Sequence, residues 1–329
     1  MTSSTRNTLA YWVDAPGRGA LRERPLAVPA APAIEVVAEY SGISPGTERL
    51  VGTGGVPAAS QKAMAVPGML GTFALPICYG YSLVGTARGG DLDGSRVFTM
   101  QPHQQRALVA RAACVPLPDD VPAARATLFP NLETARNAVW DAELRGDEPV
   151  LVVGAGAVGL LLAFVLAHEH RGRVVVAERD GERRARAAAL PWLREVVAAD
   201  EVPREHFAAA LHATGHATGL QLAIDALAFE GRVVELSWYG GRPVTVDLGG
   251  AFHQRRLRIQ ASQVAHIAPS HRAAGRGART QAVLALLRDP ALDALLAAPV
   301  PFAELPQFFA RLYRGEPTDP CPVVAYSDR

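Results

Sequence analysis

The chain has 329 residues, 49% of them hydrophobic, and a formal net charge of +1. This length predicts about two domains, and the hydrophobic share excludes wholesale disorder. The near balance of 33 basic and 32 acidic residues argues against a nucleic-acid-binding protein and against a polybasic membrane-binding protein. The three cysteines, Cys78, Cys114 and Cys321, have no paired spacing, which excludes a Cys-rich zinc module and a disulfide scaffold and favours reduced thiols.

The first 120 or so residues are rich in glycine, proline and short β-type runs such as 33–40, 82–87 and 96–100. Turn signals, including Pro45-Gly46, separate these runs and predict a β-rich unit with few helices. The proline-punctuated segment 114–122 is typical of a connector. The N-terminal sequence carries no apolar run long enough for a signal peptide, so we expect a cytoplasmic protein.

The segment 150–167 has 18 residues without a charge, which meets the length rule for a transmembrane helix. Its composition indicates a different structure. A β-branched run comes first, three glycines follow, and a Leu/Ala-rich run ends the segment. This order predicts a buried strand, a tight turn and a buried helix rather than a membrane span.

From about residue 123 onward, strand and helix patterns alternate. Helical spacing covers 123–143, and further helices are predicted near 157–170, 181–190, 217–229, 280–288 and 302–314. Strands are predicted at 150–153, 173–177, 195–198, 207–213, 231–236 and 257–261, with a last β-like run at 322–326. Such alternation predicts an α/β fold with a doubly wound parallel sheet.

The strongest motif is a G-x-G-x-x-G sequence that closes a predicted strand and opens a predicted helix. The first glycine permits a tight turn, the second lets the backbone approach a pyrophosphate, and the third allows close helix–strand packing. The helix N-terminus then offers N–H groups and a partial positive charge to the phosphates. A glycine turn that binds nothing is the alternative interpretation. The motif consists of Gly154, Ala155, Gly156, Ala157, Val158 and Gly159.

An acidic residue at the end of the next strand is the second part of this pattern, because it accepts hydrogen bonds from the adenosine ribose. Glu178 meets it, 24 positions after Gly154. The negative charge of Glu178 would repel a 2′-phosphate, which favours NAD. Arg179 follows directly, and Arg183 and Arg184 come a turn later, so NADP stays an alternative.

Several further segments resemble those of the medium-chain dehydrogenase/reductase superfamily, the alcohol dehydrogenase-like proteins. The similar segments are 40–48 (YSGISPGTE), 80–85 (GYSLVG), 212–215 (HATG), 231–237 (GRVVELS) and 257–263 (LRIQASQ). The resemblance implies a GroES-like β-rich catalytic domain, 1–122 completed by 266–329, and a Rossmann domain, 123–265. It also implies a homodimer formed by pairing of the 257–261 strand. Further cofactor contacts implied by it are Thr214, Gly215, Ser237 and Ser262.

The departures from the family pattern concern zinc. Ser44 stands at the first catalytic ligand position, Tyr81 at the second, and the third falls near Pro130 or Asn131. These are not the thiolate, imidazole or carboxylate groups that zinc prefers. The four-cysteine loop of members with a structural zinc is also missing, so we expect neither metal. The S-G-I-S-x-G-T-E form resembles the zinc-independent branch, which includes the bacteriochlorophyllide hydroxyethyl dehydrogenase.

Without zinc, a protein group must move the proton or the substrate must already be activated. Thr47 occupies the family's hydroxyl-relay position, Tyr81 can donate to a substrate oxygen, and His103 has the right titration range. Glu133 lies near the lost third ligand. Each has a structural alternative: a turn cap for Thr47, a core tyrosine, a structural histidine, and a first-turn helix acid for Glu133.

The substrate pocket is expected to involve Ser44, Trp238 and Tyr239, and Glu48 is interpreted as structural. We therefore expect an NAD(P)-dependent oxidoreductase that interconverts a secondary alcohol and a ketone of a small-molecule substrate. One alternative is an NAD(P)H-dependent reductase of an activated C=C bond. Another is a dinucleotide-binding protein without catalytic activity. No nucleic-acid or membrane partner is expected.

Overall fold

The structure, a computed structural model, describes residues 7–26 and 32–327. Two compact units divide the chain, Met1–Pro130 with Leu295–Arg329 and Asn131–Ala294. In the N-terminal part, β-branched and apolar alternation produces strands, as predicted. They are β1 (Asn7–Ala15), β2 (Arg18–Pro25), β3 (Ala33–Gly42), β4 (Leu70–Gly71), β5 (Ile77–Cys78), β6 (Leu83–Arg88), β7 (Arg96–Thr99), β8 (Arg106–Ala110) and β9 (Val115–Pro116).

Short helices connect these strands: α1 (Pro45–Gly52), α2 (Gln61–Met64) and α3 (Ala123–Ala126). The turn predicted at Pro45-Gly46 is therefore wrong, because Pro45 begins helix α1. Proline is well tolerated at this first position, where its missing N–H has no helical partner. The carboxylate of Glu48 accepts the backbone N–H of Ser44 at 2.8 Å, which closes the helix start.

The middle of the chain alternates helices and strands. The helices are α4 (Phe129–Asp141), α5 (Ala157–Glu169), α6 (Gly181–Ala188), α7 (Ala217–Asp225), α8 (Ala251–Gln254) and α9 (Gly275–Leu286). The strands are β10 (Val150–Val153), β11 (Val174–Ala177), β12 (Val196–Val197), β13 (Phe207–His212), β14 (Leu227–Glu235) and β15 (Arg258–Ala261). They form one sheet of order β12-β11-β10-β13-β14-β15, parallel at every pairing. The prediction of a doubly wound parallel sheet is confirmed.

Several element boundaries differ from the sequence prediction; helix α9, for example, begins at Gly275 rather than at residue 280. The helix expected over 123–143 is interrupted after Ala126 and starts again at Phe129, which keeps Pro130 in a first helical turn. Helix α7 ends at Asp225 rather than near 229, and β14 begins at Leu227. Within the described residues, no helix combines the length and the apolar character that a membrane crossing needs.

The C-terminal part completes the sheet of the first unit. It contains β16 (Val300–Pro301), α10 (Leu305–Arg314) and β17 (Val323–Ala325). Strand β17 pairs antiparallel with β3, and the sheet order is β16-β17-β3-β6-β7-β9, with β8 also on β3. Helix α10 packs Phe309 against Tyr11 of β1 with ring centroids 4.5 Å apart, so the last segment belongs to the core of this unit.

The chain returns to the first unit at Leu295, later than the expected residue 266. Residues 266–294 are held in the second unit by contacts with α4 and α5. The His271 ring stacks on Trp140 at 4.1 Å, and His168 contacts Asp289 at 2.7 Å. The buried Arg279 guanidinium donates to Asn137 and to the Val264 carbonyl.

Candidate functional site

The glycine-rich turn follows β10 directly. Gly154 has φ +106°, a backbone conformation that residues with a Cβ rarely adopt. A Cβ at Gly159 would overlap the Gly154 carbonyl oxygen, so helix α5 can pack this closely on the strand only with glycine there. A Cβ at Gly156 would meet no protein atom within 4 Å. Ala157 begins helix α5, and Gly156 is its N-cap.

Glu178 holds this turn in place. Its Oε2 accepts the Ala155 N–H at 2.8 Å, and its Oε1 accepts the Asp180 N–H at 2.9 Å. The side chain is buried, so the carboxylate is fixed between the first and second strands of the βαβ unit. Arg184 donates to the carbonyl oxygens of Glu178 and Arg179, whereas the side chain of Arg179 is exposed.

A polar network lies at the carboxyl ends of β13 and β14. The His212 Nδ1 atom is 2.8 Å from Glu235 Oε2, and its Nε2 atom is 2.6 Å from Thr214 Oγ1. Glu235 also accepts the Ser237 N–H at 2.6 Å and the Tyr239 hydroxyl at 3.0 Å. The five residues therefore form one hydrogen-bonded group, which we call the strand-end network.

The strand-end network adjoins the glycine-rich turn. A Cβ on Gly154 would lie 2.8 Å from Thr214 Cγ2, so the two residues are in close contact. The Gly215 N–H donates to Ser237 Oγ at 3.0 Å. The structure thus brings the predicted cofactor residues Thr214, Gly215 and Ser237 together with the glycine-rich turn. The strand order of the sheet reverses between β10 and β13: it continues from β10 to β11 and β12 on one side, and from β13 to β14 and β15 on the other. In open α/β folds, ligands bind at the carboxyl ends of the strands beside such a reversal.

The sequence analysis did not single out His212 and Glu235 as candidate site residues. His212 is the last residue of an otherwise apolar strand, which was the available signal for it. The strand that ends at Glu235 also contains Glu230 and Arg232, so it gave no such signal. Burial alone would raise the pKa of Glu235, but the hydrogen bond and charge of His212 and the Ser237 amide hold it below its ordinary value. The pKa of Tyr239 is raised by burial and by the Glu235 carboxylate.

Ser262 and Trp238 lie outside this network. The Ser262 hydroxyl donates to Asp141 Oδ2 at 2.7 Å, and burial raises the pKa of that carboxyl against the opposing hydrogen bond. This contact directs the Ser262 hydroxyl toward α4. Trp238 is 39% exposed and is the third residue after β14, so its ring is accessible from solvent.

A second cluster lies in the first unit, at the start of helix α1. The hydroxyls of Ser44 and Thr47 hydrogen-bond to the Tyr81 phenol. Burial raises the pKa of Tyr81 to about 12; these two hydrogen bonds oppose the shift, and the charge of Glu48 adds to it. We call Ser44, Thr47 and Tyr81 the hydroxyl cluster.

A buried contact between a carboxylate and an imidazole lies behind the hydroxyl cluster. Glu48 Oε2 is 2.9 Å from His103 Nε2, and the other ring nitrogen is 2.7 Å from Ser41 Oγ. Tyr326 contacts the same Ser41 hydroxyl at 2.9 Å. Glu48 and His103 are both buried. Glu48, which was interpreted as structural, thus has a partner in His103 that the sequence did not indicate. Both ring nitrogens of His103 contact groups inside the protein.

Glu133 lies in the second unit. Its carboxylate accepts from the Arg279 guanidinium at 3.2 Å, and Arg279 is only 4% exposed. An ion pair with a buried arginine is a structural contact. Among the described residues, no group of three or more His, Cys, Asp or Glu side chains is arranged to hold a metal ion.

Comparison with known proteins gives likenesses in sequence and in fold. No family model matches the chain. It is 28% identical over 127 residues to an L-threonine 3-dehydrogenase from Xanthomonas campestris, which is 39% of this chain and 36% of that protein. A Ruegeria pomeroyi protein of the same name is 29% identical over 112 residues, 34% of this chain and 31% of its own length. The match spans about a third of the length of these relatives.

Solved structures match nearly the whole chain at low identity. An Escherichia coli alcohol dehydrogenase in complex with NADH has a TM-score of 0.76 at 15% identity, covering 97% of this chain and 99% of that one. L-idonate 5-dehydrogenase from Escherichia coli has a TM-score of 0.78 at 13% identity, covering 98% and 99%. A Sinorhizobium meliloti dehydrogenase bound to NADP reaches 0.76 at 16%, covering 97% and 99%. The fold is therefore a GroES-like β-rich domain with a Rossmann domain.

Proposed function

We propose that this protein binds NAD(P) in its second unit and interconverts a secondary alcohol and a ketone without bound zinc. The observation that carries the proposal is the glycine-rich turn tied by its Ala155 amide to Glu178. Dehydrogenases of the same fold bind NADH and NADP. The sequence likeness to L-threonine 3-dehydrogenases supports oxidation of a secondary alcohol.

The residues present fit a dinucleotide. The open space at Gly156 leaves room for a phosphate against the backbone, and the start of α5 supplies N–H groups. Glu178 lies where the adenosine ribose would be recognised, and its negative charge favours NAD over NADP. The exposed Arg179 is the group that could reverse this preference. When bound, the nicotinamide accepts or supplies the hydride.

The residues at the zinc positions do not fit zinc. Ser44 and Tyr81 offer neutral hydroxyls that hydrogen-bond to each other, whereas zinc is held by thiolate, imidazole or carboxylate. The proposed reaction therefore uses no metal. Metal analysis of the purified protein tests this point, and one zinc per chain would contradict it.

The hydroxyl cluster is the proposed proton-transfer group. With a pKa of about 12, Tyr81 keeps its proton at neutral pH and can donate it to a substrate oxygen. Ser44 and Thr47 adjoin the phenol, and Thr47 is partly exposed. A proton can therefore be relayed from solvent through Thr47 to Tyr81 during ketone reduction, and in the reverse direction during alcohol oxidation. Glu48 fixes the Ser44 amide, and His103 fixes Glu48. We therefore assign Glu48 and His103 as positioning residues.

A second candidate reaction is reduction of an activated C=C bond. A protonated phenol with two neighbouring hydroxyls is also suited to stabilise an enolate oxygen by hydrogen bonds. Product analysis separates the two reactions, because the carbonyl is reduced in one and retained in the other. A folded protein that binds NAD(P)H and turns over neither class of substrate would instead support a non-catalytic dinucleotide-binding protein.

A homodimer is the proposed assembly. Strand β15 is the last strand in its sheet order, and all four of its residues are exposed. An exposed strand edge with free ladder positions can pair with a second copy. Light scattering should give a particle of two chains. The expected cytoplasmic location stays a prediction.

Nucleotide titration with matched glycine variants tests the proposed cofactor site. Gly156→Ala adds a methyl group into open space, so stability should be unchanged while NADH binding weakens by about tenfold or more. Gly277→Ala is the matched control, because it also meets no atom within 4 Å and lies in helix α9. Equal NADH affinity in both variants and the wild type would contradict the assignment of the site.

A further inference from the structure

The strand-end network contains a histidine whose two ring nitrogens face partners of different chemistry. Glu235 can only accept hydrogen bonds, because its pKa lies below the ordinary value. The His212 Nδ1 atom, 2.8 Å away, therefore carries a proton. The Nε2 atom faces the Thr214 hydroxyl at 2.6 Å, and a hydroxyl can act as donor or acceptor.

The direction of the second hydrogen bond depends on the charge of His212. With a neutral ring, Nε2 accepts and the single proton of Thr214 points inward. With a charged ring, Nε2 donates and Thr214 must accept. The Thr214 oxygen also accepts the His216 N–H at 3.1 Å. In the charged state its own proton is then available to a further acceptor outside the network.

We propose that His212 protonation is coupled to dinucleotide binding through Thr214. This inference rests on the proposed function. Thr214 contacts Gly154 of the glycine-rich turn through its Cγ2 methyl group and is partly exposed, so its hydroxyl lies one carbon away from the atom that faces the turn. Phosphate and carboxamide oxygens are acceptors, and they favour the state in which Thr214 donates. Binding therefore takes up one proton from solvent onto His212.

The residues packed around His212 leave space for its hydrogen bond to Thr214. Helix α7 contributes Gly219, where a Cβ would lie 2.5 Å from Thr214 Oγ1 and 2.7 Å from His212 Nε2. The glycine therefore leaves room for the hydrogen bond between them. On the other side, Tyr239 stacks its ring on His212 with centroids 6.5 Å apart. Within the network His212 is fully buried, whereas the other four residues are partly exposed.

The charged groups that face the ring come from three elements. Glu235 of β14 favours the charged form, and Tyr239 is neutral because its pKa is raised. His216 precedes α7; burial lowers its pKa, and the charges of Arg179, Arg242 and His212 add to this shift. His216 therefore titrates at lower pH than an ordinary imidazole. From β10 the nearest residue in register is Val153, which carries no charge.

The experiment is a titration with NADH at several pH values between about 6 and 8, where imidazole groups exchange protons. Uptake of one proton makes the wild-type Kd rise with pH, by at most about tenfold per pH unit. His212→Gln should bind NADH with a Kd that changes less than about twofold across the same range. His216→Gln is the matched control and should keep the wild-type pH dependence.

A second pair of variants covers the case in which His212→Gln does not fold. Thr214→Ser keeps the hydroxyl and should keep the pH dependence, whereas Thr214→Val removes the hydroxyl and should abolish it. Calorimetry in two buffers with different ionisation enthalpies gives the proton count directly, about one for wild type and about zero for Thr214→Val.

The outcomes separate this inference from the proposed function. Wild-type pH dependence in both His212→Gln and Thr214→Val would overturn the coupling and leave dinucleotide binding intact. A pH-independent wild-type Kd would overturn it as well. A folded wild-type protein that binds neither NADH nor NADPH would overturn the proposed function, and the coupling with it.

Discussion

Each unit contains a histidine placed between a carboxylate and a hydroxyl, yet the two arrangements differ in access. In the first unit His103 contacts Glu48 at 2.9 Å and Ser41 at 2.7 Å, and Ser41 is 0% exposed. In the second unit His212 lies between Glu235 and Thr214, and Thr214 is partly exposed. The same three groups are thus enclosed in one unit and open at one end in the other.

This difference separates a positioning role from a binding role. A buried ion pair is weak evidence of function, because it can serve the fold alone. The Glu48–His103 pair ends in buried groups, and its contact toward the hydroxyl cluster is the Ser44 amide. The Glu235–His212 pair ends at a hydroxyl beside the glycine-rich turn, so its hydrogen bonds can respond to a ligand.

The largest expected effect is on the free energy of unfolding, and it differs between the Glu48–His103 pair and the Glu235–His212 pair. Glu48→Ala leaves a buried imidazole without its carboxylate and should lower the free energy of unfolding by about 3–5 kcal/mol. Glu235→Ala should cost less, about 1–3 kcal/mol, because the Glu235 side chain is 13% exposed. Urea unfolding measures both. A larger loss in Glu235→Ala than in Glu48→Ala would contradict the comparison.

The next effect concerns turnover. Tyr81→Phe removes the proposed proton donor and should lower kcat by about 100-fold, with NADH affinity unchanged. The same substitution at Tyr40 on β3 is the control and should leave kcat within about twofold. A Tyr81→Phe enzyme with wild-type kcat would show that the hydroxyl cluster does not transfer the proton.

His103→Gln sharpens the same point from the positioning side. The amide can keep one hydrogen bond to Glu48 but cannot span both Glu48 and Ser41 as the ring does, so kcat should fall by about tenfold, less than in Tyr81→Phe. If His103 only positions Glu48, the pH profile of kcat should keep its shape. A limb of the wild-type profile that disappears in His103→Gln would instead identify His103 as a catalytic base.

The smallest effect is an acid dependence of stability. The pKa of Glu235 is lower in the folded protein than its ordinary value. Its contribution to stability is therefore complete above the ordinary glutamate pKa and is lost as the pH falls through the folded value. In Glu235→Gln the free energy of unfolding should consequently fall less steeply below about pH 4.5. If the free energy of unfolding falls equally steeply with pH in the wild type and in Glu235→Gln, the charge of Glu235 does not stabilise the fold.

The sequence was most informative where local chemistry decides the structure. The three glycines of the fingerprint and Glu178 are recognisable because each meets a backbone requirement within one βαβ unit. Strand and helix alternation was likewise sufficient for the parallel sheet. The Pro45-Gly46 pair was ambiguous, because proline followed by glycine suits a turn as well as the first turn of a helix.

The buried pairs were not predictable, because they depend on contacts distant in the chain. Glu48 and His103 are 55 residues apart, and His212 and Glu235 meet only because β13 and β14 are neighbours in the sheet. The return to the first unit at Leu295 was missed for a similar reason. Nothing in the Arg-rich stretch 265–279 indicates that Arg279 is buried against α4.

Nucleotide binding by the glycine-rich turn is the claim on which both proposals depend. Purified protein should be titrated with NADH and with NADPH, following energy transfer from tryptophan to the reduced nicotinamide. We expect saturable binding of one nucleotide per chain, with NADH bound more tightly because Glu178 repels a 2′-phosphate. A folded protein that shows no energy transfer with either nucleotide would contradict the claim.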